Sequence, residues 1–150
     1  MVTALLFGAM VIHAAPLTPS IPTIQFSFSE ASFNSVLAQW QPTGVTRFKR
    51  HFTIDFPFLV SYGFFGYLLS QHTSLTLGLS TLVKSLVSWA LPFAAVMDAA
   101  ENLLHLTFVY AAMAIPEALY FVAGGVATFK WALIVAFVIA AGYASVRNTG

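Results

Sequence analysis

Residues 84–113 read KSLVSWALPFAAVMDAAENLLHLTFVYAAM. A bilayer core of about 30 Å is crossed by about 20 helical residues, so this stretch is long enough to span it. Between Lys84 and Met113 the charged residues are Asp98 and Glu101, in mid-span. Asp98, Glu101, Asn102 and His105 recur at i, i+3, i+4 and i+7, which places them on one narrow stripe of a helix. An acid at a helix centre costs about 2.5 to 3.5 kcal/mol on the insertion scale, and each Leu, Ile, Phe or Val returns about 0.3 to 0.6. Two acids cancel most of the apolar gain of such a helix. The stripe is therefore expected to face protein or water, with its charge paired, shared with a proton or bound to a cation.

Working outward, a break at Ile115 and Pro116 separates this span from another over residues 117–146. Antiparallel neighbours place residues equidistant from the break at equal depth. Glu101 and Asp98 come level with residues 129–132, where Lys130 sits. A buried lysine is as costly as a buried acid, and an ion pair relieves both. Gly124 and Gly125 predict close backbone approach between these two helices. On the other side, residues 52–70 form an apolar run that carries Asp55, Pro57, Gly63 and Gly66. Counting across the loop brings Asp55 to the depth of residues 95–98, within about one turn. Asp55, Asp98, Glu101, Asn102, His105 and Lys130 are thus predicted to form one cluster inside the protein.

The amino-terminal run, about residues 1–17, is apolar apart from His13 and short for a span. It has no positive n-region of the kind a signal peptide carries, and is expected to be a short first transmembrane helix. Residues 18–51 are polar and punctuated by Pro19, Pro22 and Pro42, which predicts an extramembrane segment. Within it, Ser27 and Glu30 have capping-box spacing, and Phe33, Val36, Leu37 and Trp40 follow on one helical face. That face is expected to lie in the membrane interface. Arg47, Lys49 and Arg50 outweigh Lys84 on the opposite loop, so residues 18–51 are assigned to the cytoplasmic side or its equivalent, with both termini opposite.

Composition supports this class. Hydrophobic residues make up 59% of the chain and charged residues 7%, against about 25% charged in soluble domains. Mean hydropathy is +0.84. Water would have to be kept from apolar area on every side, so the expected partners are membrane lipids and other membrane subunits. The expected fold is an all-α integral membrane four-helix bundle, with a short interfacial amphipathic helix between the first two spans. Either a bacterial inner membrane or an organellar inner membrane suits it. A net charge of +1 supplies no field to attract nucleic acid. With no cysteine, thiol catalysis, zinc–thiolate sites and iron–sulfur clusters are excluded.

The run Asp55-Phe56-Pro57-Phe58, with Tyr62-Gly63 and Asp98-x-x-Glu101-Asn102, resembles an uncharacterised family of small bacterial membrane proteins with D-[FY]-x-F, Y-G and D-x-x-E-N motifs. The resemblance covers most of the chain after residue 24 and implies four helices and no known chemistry. Lys130 and His105 lie outside its pattern.

The stripe has three readings. As a buried polar network it fixes helix pairing and register; as a relay it moves protons or ions; as a metal site it uses Glu101 and His105 at i, i+4. The last is the weakest, because di-iron bundles use Glu-x-x-His on two helices and the spacing here is one longer and occurs once. No metal or cofactor is expected. Haem needs facing axial ligands, and only His105 is deep enough. Asp55 before Pro57 also fits a helix cap, and Glu117 the positive end of the last helix. His13, His51 and His72 show no ligand spacing. Three functions follow: an accessory structural subunit of a larger membrane complex, an enzyme or proton/ion carrier using Asp98, Glu101 and His105, or a lipid or quinone binder.

Overall fold

The computed structural model of the protein describes residues 1–147. In chain order it contains α1 (Val2–Ala14), α2 (Ile21–Gln25), α3 (Glu30–His72), a single 3-10 turn (Ser74–Thr76), α4 (Thr81–Tyr110) and α5 (Glu117–Arg147). Among the described residues there is no strand. The all-helical class expected from composition is what the structure has. Three of the helices, α3, α4 and α5, are long and apolar enough to cross a membrane. The fourth candidate, α1, is 13 residues long, about 20 Å at 1.5 Å per residue.

The 43 residues of α3 are two helices joined at a kink. At Gln41 the backbone has φ 56° and ψ 177°, and the extended ψ is what the ring of Pro42 imposes by barring the residue before it from the α region. Pro42 then opens the second segment, where its missing N–H is harmless. The result is a short arm, 30–40, and a long rod, 42–72. Residues 42–51, expected outside the membrane, continue without a break into the apolar run after them. Pro57 lies inside the rod and ends nothing, so Asp55 is not a helix cap. Its side chain is buried instead.

Capping also differs in detail. The arm starts at Glu30 with Ser29 as its cap, whose Oγ accepts from Ser32 N at 3.2 Å. Ser27, expected in that role, is buried and its Oγ accepts from Ser32 Oγ. The first turn of the arm is tied to α5: the Glu30 N–H reaches the Glu117 carboxylate at 3.3 and 3.4 Å.

The rod, α4 and α5 pack antiparallel in sequence order. Two glycines set the rod against α4. A Cβ on Gly63 would lie 3.0 Å from Ala95 Cβ, and one on Gly66 only 2.5 Å from Leu91 Cβ. Between α4 and α5 the fully buried Ala123 and Ala127 allow the approach. The glycine pair expected to do so has other surroundings. Gly124 makes room for the Phe28 ring, and Gly125 faces open space. α1 runs antiparallel to the rod, with Thr3 Oγ1 2.6 Å from Ser61 Oγ, the Phe7 and Phe58 rings 5.9 Å apart, and His13 Nε2 3.0 Å from Arg47 O.

Two apolar clusters fill the bundle. One gathers Ile24, Phe33, Trp40, Phe48, Phe108 and Tyr120, and the other Leu59, Leu75, Leu91, Ala94 and Phe137. Phe33, Val36 and Trp40 are buried and Leu37 partly so. The face of the arm assigned to the membrane interface is thus covered by protein. Gln41 turns the arm back over the bundle end, where Trp40 Nε1 donates to Pro19 O at 2.6 Å and Phe33 packs on Phe108 and Tyr120.

The close approach at Gly66 makes a sharp prediction. Gly66→Ala should destabilise the bundle by about 1 to 3 kcal/mol through overpacking, whereas Gly125→Ala should leave thermal unfolding in detergent unchanged or slightly raised.

Candidate functional site

Between the two apolar clusters lies a polar layer. Lys130, brought in by α5, is 2% exposed and sits between two carboxylates of α4. Its Nζ donates to Asp98 Oδ1 at 2.9 Å and lies 2.6 Å from Glu101 Oε2. Glu101 is fully buried, and neither of its oxygens has a hydrogen-bond partner among the described residues, so it is held to Lys130 by charge and proximity. The rod closes the layer from the other side. Tyr62 Oη donates to Asp98 Oδ2 at 3.0 Å, and Asn102 Nδ2 donates to Asp55 Oδ2 at 2.6 Å. His105 lies one turn beyond, its Nδ1 3.8 Å from Glu101 Oε1, in an aromatic box of Phe33, Phe48 and Phe108.

All six residues named from the sequence for the cluster are therefore in this layer. Asp55 meets Asn102, one turn farther along α4 than the loop count placed it. Two members were missed. Tyr62 stands seven residues after Asp55, two helical turns along the same face, and so was within reach of the stripe logic. His51 stands four before Asp55, again on that face, although its spacing to His13 and His72 is not that of ligands. It is 4% exposed, its Nδ1 is buried without a hydrogen-bond partner, and its ring stacks on His13 at 6.1 Å.

Of the three basic residues used for topology, Arg47 donates from Nη1 to His13 O at 3.0 Å, and Lys49 Nζ stands 4.2 Å from the centre of the Tyr110 ring. Arg50 is exposed. All three lie at the end of the bundle where α4 stops and α5 starts.

The layer is not sealed. A crevice of about 520 Å³ reaches it between α1 and α5, its floor made by His51, Asp55, Tyr62, Asp98 and Lys130. Its walls are apolar: Phe7, Met10 and Val11 on α1, and Ile134, Phe137 and Val138 on α5. α2 bounds one end, where Trp131 Nε1 donates to Gln25 Oε1 at 3.1 Å. The volume lies within the about 300 to 1,000 Å³ usual for small-molecule sites, and apolar walls with a few convergent polar groups are their usual chemistry. Among the described residues no group of three His, Asp or Glu side chains is placed to hold a metal ion. Comparison with family models, with curated proteins and with solved structures gives no match to the chain.

Lys130 has two acids to satisfy, so removing it strands both. Lys130→Met should cost about 3 to 5 kcal/mol of bundle stability. Adding Asp98→Asn and Glu101→Gln should restore more than half of the loss, measured by thermal unfolding in the same detergent.

Proposed function

We propose that the protein is an integral membrane four-helix bundle, with α3, α4 and α5 as full spans and α1 as a shorter fourth helix, that holds an amphiphilic molecule in the crevice between α1 and α5. The observation that supports this most strongly is the crevice itself. Its apolar walls end on an ionic floor, a pairing of surfaces that suits a molecule with an apolar body and a polar head. Support for the membrane setting comes from the three long apolar helices and from the outer surface, where Phe64, Leu86, Phe93, Val96, Phe121, Phe129 and Ile139 are exposed. Contiguous apolar exposure on that scale marks contact with lipid or with other proteins. The end bearing Arg47, Lys49 and Arg50 faces the cytoplasm or its equivalent, in a bacterial inner membrane or an organellar inner membrane. The residues of the D-[FY]-x-F, Y-G and D-x-x-E-N motifs supply three of the five residues of the floor, Asp55, Tyr62 and Asp98, and also Asn102, which holds Asp55 from behind. On this account the motifs are the signature of the floor.

A second role is compatible with the first. On the outer face of α3 and α4, Leu59, Val60, Gly63, Phe64, Trp89 and Val96 line a broad apolar groove. It suits a helix from another membrane subunit, in which case the protein is an accessory subunit of a larger complex.

Native mass spectrometry of the protein released from a mild detergent tests the crevice. The wild-type chain should carry a bound small molecule in about one copy. Val11→Trp together with Val138→Trp, two exposed crevice positions, should lose it without loss of thermal stability. An empty wild-type protein would refute the binding role.

A further inference from the structure

The charges of the layer do not balance. With the histidines neutral, the carboxylates of Asp55, Asp98 and Glu101 face a single ammonium, Lys130, and that ammonium is committed to Asp98 and Glu101. Among the described residues Asp55 is met by the Asn102 amide, on Oδ2, and by no cation. A carboxylate taken out of water is costly unless a cation or a proton meets it. Asp55 also lines the crevice, beside Asp98. One helical turn away, His51 lines it too, and its buried Nδ1 has no partner. A buried polar atom without a partner marks a place where a hydrogen-bonding group is missing.

We propose that the head of the molecule held in the crevice is a protonated amine, seated against Asp55 and within reach of His51, with its apolar body between the α1 and α5 walls. The proposal rests on the crevice being a binding site at all, and adds the class of ligand. An anionic head is opposed by three carboxylates. A neutral hydroxyl satisfies hydrogen bonds and leaves the charge deficit as it was. An ammonium supplies both the missing charge and donors, and a carboxylate paired with a charged donor makes the stronger kind of hydrogen bond. Proton balance is simple. A lipophilic amine is an ammonium at neutral pH and enters the crevice from the membrane surface with its own proton, so no proton passes between it and Asp55. The Asp55 carboxylate gains a charged donor, and the net charge of the site rises by one.

The test uses the full chain in phosphatidylcholine nanodiscs and three radiolabelled probes of one chain length: tetradecylamine, tetradecanol and myristate. Retention by protein-free nanodiscs is subtracted. The amine should be held about tenfold or more tightly than either of the others, and Asp55→Asn should bring it down to the level of the alcohol while leaving the alcohol unchanged. Equal or tighter retention of the alcohol or the acid would overturn the assignment of the head and leave the crevice as a binding site. No retention of any probe above the protein-free control would remove the binding site as well. An amine preference that survives in Asp55→Asn would overturn Asp55 as the seat. The wild-type series decides between the heads even where Asp55→Asn does not fold.

Discussion

The bundle depends on one lysine. Among the described residues Lys130 is the only cation in the layer, and its two contacts to Asp98 and Glu101 join α5 to α4 in the buried middle of the bundle. Breaking a buried pair leaves an uncompensated charge, which is far more destabilising than the intact pair is stabilising. The contact therefore acts chiefly through what its absence would cost. A shift of α4 against α5 by one turn takes Lys130 away from at least one of the two acids. The same Asp98 then accepts from Tyr62 on the rod of α3, so the register fixed between two helices is passed to a third. Apolar packing supplies the bulk of the contact on either side of the layer, in two clusters, and the polar layer between them adds a match of charges to that fit.

How much of this was legible beforehand depended on whether position alone decided it. The meeting of Lys130 with Asp98 and Glu101 followed from counting away from Ile115 and Pro116, because helices on either side of a tight break share depth residue by residue. Asp55 was placed only to within a turn, since the connection from His72 to Thr81 contains a 3-10 turn whose length in the bundle cannot be counted. The arm was legible as a helix with an apolar face, yet its surroundings were not. An apolar face has the same pattern whether lipid or protein covers it, and only the backward turn at Gln41 shows that Phe33, Val36 and Trp40 cover the end of the bundle.

The same limit explains Gly124. A glycine announces close approach without saying by what, and here the approaching group is the Phe28 ring in place of a helix backbone. The crevice was out of reach for a different reason. It exists because α1 is short and leans on α3, leaving the α5 side of the layer uncovered over part of its length, and such a gap has no pattern in one dimension. His51 shows the intermediate case. Its spacing from Asp55 was visible, but its value lay in facing a cavity, and without the cavity it was one more polar residue near the end of an apolar run.

The most direct measurement of the central contact is the dipolar coupling between the side-chain nitrogen of Lys130 and the carboxyl carbons of Asp98 and Glu101, by solid-state NMR of the protein in lipid bilayers. Labelling lysine Nζ with ¹⁵N and the acid carboxyls with ¹³C, and subtracting the spectrum of Lys130→Gln, isolates this one nitrogen from Lys49 and Lys84. Strong dephasing from both carboxyls, as expected for atoms in direct contact, is the predicted result. A Lys130 nitrogen with no nearby carboxyl carbon would contradict the account, because α4 and α5 would then be paired in some other register.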